Sequence, residues 1–87
     1  ESLFKMYQDQ GGRCALSGIL MENYRDGSGV KNPFNISIDR KQSYMDYSEE
    51  NVQLVCQAIN IMKGTMEDEQ FIRLCQSVAL HSGGRRE

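Results

Sequence analysis

The stretch Asn35-Ile36-Ser37-Ile38-Asp39-Arg40, followed after a polar loop by Asn51-Val52-Gln53-Leu54-Val55-Cys56 and then by Gln57-Ala58-Ile59-Asn60-Ile61-Met62-Lys63-Gly64, decides how the chain is read. Residues 35–39 alternate: Ile36 and Ile38 face one way, Asn35, Ser37 and Asp39 the other, the period of a half-buried strand. Residues 41–50 are a polar loop, which Tyr44, Tyr47 and Met45 are expected to pin down. Val52–Val55 form a second strand, with Val52 and Leu54 on one face. Cys56–Lys63 reads as a helix with Cys56, Ile59, Met62 and Lys63 along one stripe, stopped by Gly64. Residues 35–64 are thus strand, loop, strand, helix, the core of a small α+β domain.

Working outward, residues 2–10 place Leu3, Phe4, Met6 and Tyr7 at helical spacing and predict a helix docked by Phe4 and Tyr7 and ended by Gly11-Gly12. Cys14–Leu16 suit a short strand and Ser17-Gly18 a tight turn. Residues 22–34 hold Gly, Asn, Asp and Pro33, which is loop chemistry; Lys31 near its end reads first as a solvated surface lysine, though it could reach a phosphate. Downstream, Thr65 reads as an N-cap with Asp68 closing a capping box. Phe71, Leu74, Cys75 and Val78 then predict an amphipathic helix to about His81. Residues 82–87 read as a frayed tail.

The length of 87 residues fits one domain, and nothing in it excludes a piece of a longer protein. No apolar run approaches the ~18 residues of a membrane span, and no secretory signal is visible, so no membrane partner is expected. The 10 basic and 12 acidic side chains leave a net charge of −2, which does not advertise a nucleic-acid binder. Such a role would need Lys and Arg clustered locally. Cys14, Cys56 and Cys75 cannot all pair within the chain and sit in apolar settings. They point to a reducing intracellular compartment, cytoplasmic, or nuclear in a eukaryotic cell.

The ordered blocks Ile38-Asp39-Arg40, Asn51–Cys56 and Asn60–Gly64 resemble the HNH endonucleases of the ββα-metal fold, especially short phage and bacterial forms. The resemblance is close from Arg13 to Gly64 and loose outside. The step from Asn51 to Asn60 and the closing Lys63-Gly64 match the family's spacing. It implies a small ββα-metal domain with flanking N- and C-terminal helices. In that family the acid ending the first strand binds a divalent metal, and the next residue is usually a general-base His. An Asn opening the second strand steadies the loop, and a His or Asn on the helix completes the metal site. Carried over, Asp39 and Asn60 are the expected metal ligands, Asn51 the loop organiser, and Arg40 the occupant of the base position.

A carboxylate and an amide oxygen are hard ligands that suit Mg²⁺ or Mn²⁺. Asn51 can both donate and accept. Arg40 has no acceptor lone pair and makes a poor base, but a good bidentate phosphate clamp. His81 lies far along the chain, in the last helix. Many relatives also carry two Cys-x-x-Cys pairs on a structural zinc. Here Cys14 and Cys56 are followed at those positions by Ser17 and Ile59, so no structural zinc is expected. The two thiols, Leu16 and Ile59 should instead fill a small apolar cluster.

Singly, each residue has a plain structural reading: Asp39 caps a turn, Asn51 precedes a strand, Asn60 and Arg40 are surface polar groups. Their joint order favours a metal-dependent DNA endonuclease or nickase acting most readily on duplex. Arg13, Lys41 and Lys63 would contact phosphates, and a fused recognition domain or a dimer partner would help. The alternative is a nucleic-acid-binding module that kept the fold without the chemistry, as Arg40 suggests. A third reading, a protein-interaction domain, draws on the negative charge but leaves the spacing unexplained.

Overall fold

The computed structural model describes residues 2–23 and 32–83. Lys31 and residues 84–87 of the expected tail lie outside the described residues. Helix α1 (Ser2–Asp9) leads to a two-stranded antiparallel sheet, β1 (Ile36–Arg40) and β2 (Val52–Cys56), then to helices α2 (Gln57–Lys63) and α3 (Asp68–Gly83). This is a small α+β domain with a ββα-like arrangement. A single 3-10 turn at Glu49–Asn51 feeds β2.

The register pairs Ile36 with Cys56, Ile38 with Leu54 and Asp39 with Gln53. Every residue of β2 is buried, because both of its faces are covered and not only the Val52 and Leu54 face. Cys14, Met21, Leu54, Val55 and Cys56 form the core, with Met6, Tyr7, Leu16, Ile36 and Ile59 packed against it. The expected cluster of the two thiols with Leu16 and Ile59 is part of that core.

Helix α1 is held to the sheet by a side chain that mimics a strand. Gln10 Nε2 donates to the Leu54 carbonyl (3.0 Å), and the Leu54 N–H donates to Gln10 Oε1 (3.1 Å). The Ala15 N–H reaches the same carbonyl (2.9 Å), so the outer edge of β2 is occupied at this point. The chain turns into this contact at Gly12, whose φ of +75° favours glycine. A Cβ there would also sit 3.0 Å from the Tyr7 hydroxyl oxygen.

Helix α2 has no side-chain cap. The N–H groups of Gln57 and Ala58 donate to the carbonyls of Asn35 (2.8 Å) and Pro33 (2.9 Å), which answers orphan donors of its first turn. Gly64 then ends it at φ 58°, ψ −124°.

Several expectations need correction. Phe4 is 66% exposed; Tyr7 docks α1 as expected, but its partner is Met6 and not Phe4. The Cys14–Leu16 segment is a turn beside a single bridge, Arg13 to Leu20, and not a strand. On β1, Ile38 is exposed while Asp39 is buried, the reverse of the period-two reading, because Asp39 is drawn in by partners from β2 and α2. Met62, expected on the inner stripe of α2, is exposed. Helix α3 begins two residues past the expected start: Glu67 precedes it, and the Glu67 N–H donates to Gln70 Oε1 (3.1 Å), so Thr65 is not its cap. Of its apolar stripe only Phe71 is buried; Leu74 and Val78 are exposed and Cys75 lies between. No helix among the described residues is long and apolar enough to cross a membrane.

Candidate functional site

Antiparallel pairing starts α2 beside Ile36, and the helix runs back along β1 so that Asn60 and Lys63 reach Ser37, Asp39 and Arg40. There Ile38, Asp39, Arg40, Ser43, Tyr47 and Asn60, closed by Gly64, line a narrow cleft of about 110 Å³. Three residues singled out from sequence, Asp39, Arg40 and Asn60, therefore meet. Asn51, the fourth, does not line the cleft.

Asp39 is 4% exposed and its charge is answered from one side. Lys63 Nζ donates to its Oδ2 at 2.6 Å, and Gln53 Nε2, directly across the sheet, donates to the same oxygen at 2.9 Å. Both bonds fall on Oδ2 and leave Oδ1 for a ligand. Lys63 also bonds Asp68 Oδ1 (2.6 Å) and the Arg40 carbonyl (2.7 Å), so its three donors are spent. Gln53 reaches Asp68 as well (3.1 Å to Oδ2). Burial alone would push the Lys63 ammonium down, but the hydrogen bonds to Asp39 and Asp68 and their charges outweigh it, so its pKa lies above the ordinary lysine value.

Asn60 is oriented by its nitrogen. Its Nδ2 donates to Ser37 Oγ (2.6 Å) and to the Ile38 carbonyl (3.3 Å), which frees Oδ1 as an acceptor. Arg40 Nη1 donates to the Met45 carbonyl (3.1 Å), and its guanidinium lies 4.9 Å from the centre of the Tyr47 ring.

Asn51 holds the loop between the strands through its side chain. It is 4% exposed; its Oδ1 accepts the Gln42 N–H (3.0 Å), and its Nδ2 donates to the carbonyls of Gln42 (3.1 Å) and Asp46 (2.7 Å). Ser43 Oγ ties the loop to the Thr65 carbonyl (2.7 Å). The aromatic pins expected of this loop are absent: Tyr44 and Tyr47 are 74% and 65% exposed, because polar bonds hold the loop instead.

Lys63, read from sequence as a phosphate contact, is corrected here. At 1% exposure, with two carboxylates on it, it is a buried structural cation. Arg13 and Lys41 are exposed but neither lines the cleft; Arg13 Nη1 donates to the Gly18 carbonyl, and Lys41 lies on a separate groove with Glu50, Glu67, Asp68 and Glu69. His81, in the last turn of α3, is also away from it.

Sequence reasoning missed Gln53, Asp68 and Ser37. Gln53 carried a signal, a lone amide inside the run Val52–Val55 and across from an acid. Asp68 and Ser37 carried none, since a helix-start acid and a strand serine are ordinary.

Among the described residues no group of three or more His, Cys, Asp or Glu side chains is placed to hold a metal. The cleft offers one carboxylate oxygen of Asp39 and one carboxamide oxygen of Asn60. That donor set fits a hard divalent cation that keeps most of its waters and takes further ligands from a phosphate. It does not fit a softer metal that needs nitrogen or sulfur. Compared with known proteins, the chain matches no family model, no curated protein and no solved structure.

Proposed function

We propose that the domain is a metal-dependent phosphodiester hydrolase of the HNH type, acting on DNA. The observation that carries this reading is the meeting of Asp39, Arg40 and Asn60 on one cleft at the end of the hairpin. Asp39 Oδ1 and Asn60 Oδ1 are the atoms that would hold Mg²⁺ or Mn²⁺. When bound, the cation supplies stabilisation for charge developing on the leaving oxygen.

The chain's own residues do the rest. Lys63 and Gln53 fix the Asp39 carboxylate, and Ser37 and the Ile38 carbonyl fix the Asn60 amide, so neither donor needs reordering when substrate enters. Arg40 presents a cation to a non-bridging phosphate oxygen. Asn51 keeps the loop closed behind it.

A second reading is favoured by a specific observation. Among the described residues the cleft holds no side chain suited to take a proton from water near neutral pH, and Lys63 already offsets the charge of Asp39. A domain of that kind would bind phosphodiesters and leave them whole.

Incubation of supercoiled plasmid and of labelled single-stranded DNA with Mg²⁺ or Mn²⁺ separates the two. Hydrolysis is expected for the wild type and should fall on the order of 100-fold or more in Asn60→Ala and Asp39→Asn. Intact substrate at high enzyme in both metals, alongside retained binding, leaves only the second reading. Equal cleavage by wild type and Asn60→Ala would remove the metal assignment.

A further inference from the structure

We infer that Tyr47 is a stacking platform for an unpaired base, and that the cleft takes a single-stranded or locally unpaired nucleotide and not an intact duplex. This rests on the cleft being a nucleic-acid site, as proposed above. Tyr47 supplies the aromatic ring of the cleft and is 65% exposed, so the ring is open to a ligand entering there. Arg40 covers the ring from 4.9 Å, so the group placed for a phosphate and the ring that would take a neighbouring base are already stacked.

The platform is preorganised. Asn51 fixes the loop on either side of Tyr44 through Gln42 and Asp46, Arg40 holds the Met45 carbonyl, and Ser43 holds the Thr65 carbonyl. With the loop leading to Tyr47 already held, less conformational freedom is lost when the ring meets a base.

Charge points the same way. A duplex binder draws much of its affinity from many phosphates at once. Here the net charge is −2, Lys63 is buried, and the groove beside this loop sets Glu50, Glu67, Asp68 and Glu69 against Lys41. A broad phosphate footprint would meet those carboxylates. One guanidinium with one ring suits a single nucleotide, whose base is sequence-tolerant because every base has a π-face.

The test is fluorescence anisotropy with a labelled thymidine oligonucleotide of about 16 nucleotides and a blunt hairpin duplex of similar length, Ca²⁺ replacing Mg²⁺. The single strand should bind on the order of tenfold tighter than the duplex. Tyr47→Ala should lose about tenfold on the single strand, and Tyr47→Phe should stay within about twofold of wild type. If Tyr47 stacks on the base, Tyr47→Ala still weakens binding in an Arg40→Ala background; if it only props Arg40, that second loss vanishes and the inference falls. A duplex preference also overturns it while leaving the phosphodiester reading intact. Binding of neither oligonucleotide overturns both.

Discussion

Removing the Lys63 ammonium is the sharpest perturbation of this fold. Lys63→Met keeps a chain of similar length, so little cavity opens, but it deletes three bonds at once: to Asp39 (2.6 Å), to Asp68 (2.6 Å) and to the Arg40 carbonyl (2.7 Å). The Asp68 bond counts for little, since that side chain is 28% exposed and can turn to water; pairs near the surface are worth about 0–1 kcal/mol. Asp39 is different. At 4% exposure it would keep a negative charge answered only by Gln53. Leaving a buried charge without its partner costs about 3–5 kcal/mol. A domain of this length is worth about 4–13 kcal/mol in all, so the variant should sit near the edge of folding.

Urea unfolding followed by far-UV circular dichroism reads this directly. The expected loss of about 4 kcal/mol corresponds to a Tm lower by roughly 15–30 °C. The double variant Lys63→Met with Asp39→Asn should recover about half of the loss, because the neutral amide no longer needs a cation and can still meet Gln53. A Lys63→Met protein within about 1 kcal/mol of wild type would refute the reasoning. So would a double variant no more stable than the single one, since the orphaned charge would then not be the cause.

Other predictions follow from single contacts. The Lys63 pKa is raised in the folded state, so its contribution is fully present below the ordinary lysine value of 10.5 and is lost as pH rises through the folded value above it; the stability gap between wild type and Lys63→Met, measured by urea unfolding, should be constant from pH 7 to about 10 and narrow at higher pH. Asn51→Ala removes three hydrogen bonds of the loop and should cost about 1–3 kcal/mol, with faster amide exchange at Gln42 and unchanged exchange in α3. Gly64→Ala meets no neighbouring atom, yet at φ 58°, ψ −124° it should cost about 1–3 kcal/mol in thermal unfolding from backbone strain alone. Among the thiols, half-buried Cys75 should react first with a disulfide reagent, and Cys14 and Cys56 only as the core opens; Cys75→Ser should erase the fast phase of the absorbance trace.

The order strand, loop, strand, helix was legible because each part had a local cause: apolar residues in strand-length runs, turn residues at the breaks, glycine at the stop. That Asp39, Arg40 and Asn60 would come together was expected from the family resemblance that their order carries, and they do line one cleft. What escaped the reading was what a small domain does with its surplus. A chain this short cannot enclose every apolar residue, so Phe4, Ile38, Met62, Leu74 and Val78 lie exposed although the periodicity had them inward. Lys63 was misread for a related reason. It lay on the predicted inner stripe of α2, which was the clue, but its partner Asp39 comes from β1, distant in sequence, and Asp68 turns back onto it only because α3 starts where it does.

Asp39 links the fold to the cleft, and its two oxygens divide the work. Oδ2 takes Lys63 and Gln53 and joins β1 to β2 and α2. Oδ1 is left for whatever the cleft receives. An acid serving packing alone would be replaceable, since apolar residues of similar volume often match or exceed a buried pair in stability. A ligand-binding acid with no buried cation beside it would be more attractive to a metal but would leave a buried charge without a partner at 4% exposure. The Lys63 and Gln53 bonds fix the carboxylate in place, and under the proposed reading the Lys63 charge would leave a cation in the cleft to draw on the negative charge of a bound phosphate. Asn60 escapes that double duty: its bonds are to one hydroxyl and one carbonyl near the surface, and its loss costs the fold little. Substitution there therefore isolates the cleft's chemistry from the packing that Asp39 also serves.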